Sequence, residues 1–418
     1  MKPAMSADPA AILASRAVLR PRQGIAAALM DLLLRIAPAG FAFLRRWWPI
    51  PRIGTLAAAT RHDDVIEVFA RDDAFGVPYA AKLDLLMGGE PFVLGMADGP
   101  AYRDAIAALR QVIRLEDLPR LAARTERRAG AIVAGAGGRL EVVDGLVRPI
   151  AFGVIADYLG IPPPAGGDLA VWATRLFEYQ FVAGDAPLVA EVAVIAPTLR
   201  AHVDRVIAAR RADGGGGADV LGRCLAAQAA GDARFADAAI RTMLLGMMVG
   251  GPPQPPMVVP QALEQLLRRP AALAAAQAAA RAGDDETLRA HVLEAMRFDP
   301  LGPALPRIAR HDTVLAAGTE RARAIPAGTK VFACFQSAML DPRRVAEPAR
   351  FVAGRPARDY VHFGHGAHEC FGRHINHATL HLMLKPLLAQ PRLRRARGPA
   401  GRLRKRGAFA EALTVEFG

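Results

Sequence analysis

Six histidines and one cysteine crowd the stretch 362–381 of this 418-residue chain. Cys370 stands near the end of Phe363-Gly364-His365-Gly366-Ala367-His368-Glu369-Cys370-Phe371-Gly372. The glycines permit a tight loop whose backbone comes close to something flat and bulky. A run that reads as helix, Arg373 to Leu388, follows directly. The sulfur therefore lies at a helix N-terminus, where the dipole and the backbone N–H groups favour thiolate. A single buried thiolate without companions points to an axial haem ligand and away from a four-ligand zinc site.

Two plainer readings compete. A lone cysteine in a glycine-rich loop is most often a small buried residue. His374, His377 and His381, three and four apart, share one helical face and could hold zinc for a hydrolase. No Asp or Glu general base stands beside them at a recognised spacing.

The decapeptide resembles the Phe-x-x-Gly-x-x-x-Cys-x-Gly signature of the cytochrome P-450 (haem-thiolate) family, matching it at Phe363, Gly366, Cys370 and Gly372. The resemblance implies a mainly α fold with a minor β region, the cytochrome P-450 fold, holding haem b with Cys370 as the iron's axial ligand. It extends to Glu294-Ala295-Met296-Arg297, at the end of a helix from about Glu286, which looks like the family's Glu-x-x-Arg helix. Residues at i, i+3 face the same way and can pair. By the same resemblance Arg350 completes a buried Glu–Arg–Arg cluster that braces the thiolate loop. Arg307 and His368 fall where the family places cationic donors to the haem propionates. In Asp98-Gly99-Pro100-Ala101-Tyr102-Arg103, Tyr102 stands where a histidine donor usually lies, with Arg103 or Arg110 to cover the charge.

The central helix departs from the pattern. Family members that activate dioxygen carry Ala/Gly-Gly-x-Asp/Glu-Thr there, an acid–alcohol pair that relays protons into the haem pocket. The matching stretch here is Gly250-Gly251-Pro252-Pro253-Gln254-Pro255-Pro256. Pro253 has no side-chain proton, and the Gln254 amide hydrogen-bonds without titrating. Four prolines remove backbone donors, so the helix must break beside the haem. Gly251 and Gln254 are the catalytic-side candidates. Leu85, Leu86, Phe92, Phe177, Tyr179, Phe181 and residues 301–305 are candidates to face the substrate.

Length alone suggests two or three domains, but no linker divides the chain cleanly. Residues 50–418 read as a single haem-binding domain, and residues 1–49 as an N-terminal extension with an amphipathic helix. Alanine-rich segments at Arg120–Ala134, Val189–Arg211 and Pro260–Ala282 have helical spacing. Arg52–Ala58, Arg307–Val314 and Lys330–Ala333 read as strands. Gly24 to Phe43 is apolar but interrupted by Asp31, Arg35 and Pro38, too broken to span a bilayer. It either packs on the domain or lies at a membrane surface, with Trp47 and Trp48 at the headgroups.

The net charge of +13 is nearly all arginine. No aromatic-interleaved basic stripe accompanies it, so nucleic acid is not an expected partner. Arg103, Arg110, Arg114 and Arg373 could steer an acidic electron-transfer protein. Cys224, Cys334 and Cys370 make no disulfide framework, which suits a reducing cytoplasm. The expected activity is haem-thiolate oxidation of an apolar small molecule or lipid, as a monooxygenase with a ferredoxin-type electron donor. The alternative is a peroxide-dependent peroxygenase or hydroperoxide-rearranging enzyme, which needs no electron donor.

Overall fold

Short acidic side chains start helices where their oxygens can take the unpaired first-turn N–H groups. Asp168 accepts from Ala170 N and Val171 N, Asp185 from Leu188 N, and Asp284 from Thr287 N. The computed structural model describes residues 8–20, 25–182 and 185–418, so Gly24 lies outside the described residues. The chain clusters into two compact units.

The first unit comprises Met1–Pro21, Tyr79–Asp117 and Ala151–Gln254. Its frame is the helices Leu169–Phe181, Ala186–Ala212 and Asp237–Gly250, which pack on one another. Phe177 and Phe181 pack with tilted rings at 4.8 Å between centroids, and Tyr79 meets Phe181 edge-on at 5.4 Å. By length and composition Ala186–Ala212 is apolar enough to cross a membrane. Here it packs against Pro9–Ala14, Ala80–Met87, Leu169–Phe181 and Asp237–Gly250, a core helix of its unit.

The second unit comprises Arg22–Pro78, Leu118–Ile150 and Pro255–Gly418. Leu118–Ala134 packs on Arg373–Leu388, which also meets Asp285–Phe298. A five-stranded sheet runs in the order Arg52–Ile53, Leu56–Ala59, Lys330–Ala333, Leu305–Ala309, Phe75–Gly76. One of its pairings is parallel, Leu56 opposite Lys330 through Ala59 opposite Ala333; the others are antiparallel. Val65, Phe69, Phe75, Ile325, Val331 and Phe335 bury their side chains against it.

Three segments differ from their sequence reading. Arg52–Ala58 is a hairpin of two short strands, Arg52–Ile53 and Leu56–Ala59. Pro260–Ala282 is two helices, Pro255–Leu267 and Pro270–Ala282, because Pro270 cannot continue the hydrogen-bond ladder and instead opens a new first turn. Arg307–Val314 is shared between Leu305–Ala309 in the large sheet and Thr313–Leu315 in a separate two-stranded one.

Candidate functional site

The cysteine loop is held by its own backbone. Cys370 N donates to Phe363 O at 2.8 Å, Glu369 N to Gly366 O at 3.1 Å, and Arg373 N to Cys370 O at 3.1 Å. Gly364 and Gly366 both take φ +76°, the left-handed region that only glycine enters without strain. At Gly366 the need is doubled. A Cβ there would lie 2.7 Å from the carbonyl of Phe69, the penultimate residue of the His62–Ala70 helix.

Cys370 keeps part of its surface accessible, while its sulfur sits deep among protein atoms. Burial pushes the thiol up to about 11, against a smaller opposing pull from the Gly372 N–H. Cys370 precedes the first helical residue, Arg373, by three positions.

Arg307 is buried on its strand, with its guanidinium 5.0 Å above the Phe69 ring. The His368 side chain is only 6% exposed, its Nε2 3.2 Å from Asp72, which also receives Arg310 at 3.2 Å. Asp72 thereby orients the imidazole, a contact with no local sequence signal. A lone thiol in a glycine cradle, an arginine and a histidine together suit a flat, dianionic, iron-bearing macrocycle. The donor set fits haem.

Glu294 and Arg297 are fully buried and bonded at both carboxylate oxygens, 2.7 and 2.9 Å. Arg350 does not complete this cluster. It is exposed and paired with Glu347 at 2.6 Å, because three-residue spacing there favours the local partner. Arg355 takes the place, its Nε 3.2 Å from Glu294. Val352 N and the Tyr360 hydroxyl also donate to Glu294, at 2.9 and 3.2 Å. Arg350 contributes only its carbonyl, which accepts from Arg297 and Arg355.

In the first unit, the central helix Asp237–Gly250 stops at its first proline pair, and a turn spans Gly251–Gln254 before Pro255–Leu267 begins. Pro252 and Pro253 have no N–H to offer the carbonyls of Met248 and Val249. Gln254 folds back instead, its side-chain amide donating to Gly250 O and its backbone N–H to Gly251 O at 3.2 Å. Gly251 is restricted in turn, since a Cβ there would meet Met247 O at 2.8 Å. The tip of the Phe92 ring lies against Gly246 of the same helix, where a Cβ would strike it at 2.2 Å. Tyr102 is buried in the helix Pro100–Val112 of this unit, whereas Arg103 is exposed and paired with Asp98 at 3.0 Å.

Among the described residues no group of three or more His, Cys, Asp or Glu is placed to hold a metal ion. His377 packs on Phe363 at 5.2 Å between ring centroids. His381 is buried on the inner side of its helix.

The sequence pattern of the Cytochrome P-450 family matches residues 199–397, a span that includes Glu294, Arg297, Arg307 and the whole cysteine loop. Erythromycin C-12 hydroxylase of Saccharopolyspora erythraea is 27% identical over 337 residues, covering 79% of this chain and 80% of that protein. A bifunctional dioxygenase–epoxy alcohol synthase of Pyricularia oryzae is 34% identical over 121 residues, 29% of this chain. The chain spans only about a tenth of the length of such fungal relatives, 10% in this case. The crystal structure of CalO2 superimposes with a TM-score of 0.78 at 21% identity, covering 92% of this chain and 97% of that one. Residues 199–397, with the cysteine loop among them, thus resemble the cytochrome P-450 family, and the chain has the cytochrome P-450 fold over nearly its whole length.

Proposed function

We propose that the chain is a cytoplasmic monooxygenase that inserts oxygen into an apolar small molecule or lipid, with electrons from a ferredoxin-type donor. One observation carries the class: the single deep thiol of Cys370 in a backbone-locked loop whose Gly366 tolerates no side chain. Cys370 ligates the iron, and haem, when bound, supplies oxygen activation. Arg307 and His368 hold the propionates, with Asp72 keeping the His368 ring in place. Tyr102 adds a neutral hydrogen bond. Phe363, Gly366 and Gly372 shape the cradle, and Glu294, Arg297 and Arg355 brace it. The aromatic side chains of Phe92, Phe177 and Phe181 favour an apolar substrate, and hydroxylation is the activity named for the Saccharopolyspora relative.

A second reading has its own observation. Pro253 and Gln254 replace the acid and the alcohol, and the Gln254 amide is committed to closing the helix break at Gly250. No side chain of that turn moves a proton. A peroxide arrives already reduced and needs less proton delivery. Gln254 and Gly251 would then only position it, through the amide oxygen and the open turn. The decisive comparison is turnover of one apolar substrate with ferredoxin, reductase and dioxygen against turnover with hydrogen peroxide or a lipid hydroperoxide. Product formed at a rate tightly coupled to electron supply supports the monooxygenase. Turnover with peroxide alone moves the assignment to a peroxygenase, and no product in either system removes both.

A further inference from the structure

A helix on the surface of a water-soluble domain turns its polar side outward. The helix Ile25–Trp47 does the reverse. Leu29, Leu32, Leu33, Ile36, Phe43 and Trp47 are all exposed, Trp47 by 67%. At about 100° per residue these six fall within a stripe roughly 100° wide. Its two charged side chains with described inward partners lie on the opposite side. Asp31 accepts from the Gly407 backbone N–H at 2.8 Å, and buried Arg45 donates to the Ser337 hydroxyl at 2.9 Å. Polar bonds fasten the inner face, and the outer face is hydrocarbon.

The hairpin that follows the helix in sequence also exposes apolar side chains. Ile53, 72% exposed, and Leu56, 51% exposed, bracket the tip of the Arg52–Ile53/Leu56–Ala59 hairpin. Nine of the thirteen large apolar side chains exposed among the described residues fall between positions 29 and 56. That concentration marks an interaction surface, since apolar side chains scattered over a monomer need no such explanation.

The charges around it select the occupant. Residues 25–61 hold five arginines, of which Arg45 is buried on the inner face, and one acid, Asp31, whose carboxylate also faces inward. Arg46 lies 4.9 Å over the Trp47 ring at one end. At the other, Gly407, which follows the strand Arg404–Arg406, meets Asp31. An apolar stripe with a tryptophan pair and a cationic rim matches the boundary between acyl chains and anionic headgroups.

We propose that this face of the second unit docks on an anionic lipid bilayer, with the helix Ile25–Trp47 lying in the membrane plane. Its fastening at Asp31 and Arg45 rules out a spanning orientation without unseating it.

The test uses the full-length holoprotein and vesicle flotation, with phosphatidylcholine alone or mixed with phosphatidylglycerol. The protein should float with the mixed vesicles, and added salt should weaken it. Leu32→Asn/Phe43→Asn/Ile53→Asn should weaken partitioning by roughly tenfold or more, the scale of losing one or two buried apolar side chains. Arg46→Gln/Arg52→Gln should erase the preference for the anionic lipid. All variants should keep the wild-type haem spectrum, because Leu32, Phe43, Arg46 and Ile53 are exposed and half-buried Arg52, among the described residues, bonds only the nearby Gly54 carbonyl. Absence of flotation by the intact chain would overturn the proposal, as would equal, salt-insensitive binding to both vesicles. So would a dimer in sedimentation that the triple variant converts to monomer, since the face would then be a contact between copies.

Discussion

Arg355 reaches Glu294 across 61 residues of sequence, its Nε 3.2 Å from the carboxylate that Arg297 grips from the next turn of its own helix. The carboxylate is fully buried and meets two guanidiniums, one backbone N–H and one phenol. Removing it leaves two buried cations uncompensated. Glu294→Ala should therefore cost about 3–5 kcal/mol and abolish haem retention. Arg355→Ala should act in the same direction, while Arg350→Ala, at an exposed pair, should unfold like the wild type. Denaturant titration with haem content read in parallel checks all three.

Gly366 and the Phe69 carbonyl leave no room between them. Gly366→Ala meets both a 2.7 Å clash and a left-handed backbone. The expected result is a protein that keeps its helical circular dichroism but binds haem at least about tenfold more weakly, since strain falls on the loop first. Gly318→Ala, with the same sign of φ and open space around it, serves as the control.

His362 makes the fold sensitive to acid. Its Nε2 bonds the Leu293 carbonyl at 3.1 Å, so the ring carries its proton there, and burial pushes the pKa down to about 3. Burial likewise pushes His381 down to about 4. Unfolded, both titrate near about 6.5. The unfolded chain thus binds more protons between about pH 6.5 and the folded values, and stability falls as pH drops through that window. Above it the contribution is complete. Urea titrations from about pH 8 to about pH 4 should show His362→Phe losing up to about one proton's worth of this slope. Equal slopes for variant and wild type would contradict the assignment.

What could be read from the sequence was what is local. The cysteine loop, the Glu294–Arg297 pair and the interruption after Gly250 each depend on neighbours within a few residues. Arg355 escaped because Arg350 offers identical chemistry nearby, and only the path of the chain decides which one turns inward. Asp72 escaped because nothing near His368 announces a partner from the other end of the chain. The stripe of Ile25–Trp47 was visible as periodicity, but a stripe reads the same whether it faces a core or solvent.

Gln254 closes the break in the central helix with its side chain, which gives it a structural task beside any part in turnover. Gln254→Thr shortens that reach and restores a hydroxyl. If missing proton delivery limits the oxygen route, this variant should raise coupled, oxygen-driven turnover by about tenfold or more and lower peroxide-driven turnover. Product and reductant consumption measured together give the coupling. An unchanged ratio would show that protons reach the pocket by another route.

Haem ligation by Cys370 alone, as proposed, has a direct spectroscopic signature. The most direct measurement is the reduced, carbon monoxide-bound spectrum of the wild type beside Cys370→Ala, Cys224→Ala and Cys334→Ala. Cys224 and Cys334 are buried, with thiols pushed up to about 12, and their removal should leave the spectrum intact. A thiolate-type, red-shifted Soret band is expected in the wild type and in those two variants, and its loss in Cys370→Ala. A wild-type protein that binds no haem, or a Cys370→Ala variant that keeps the thiolate band, would contradict it.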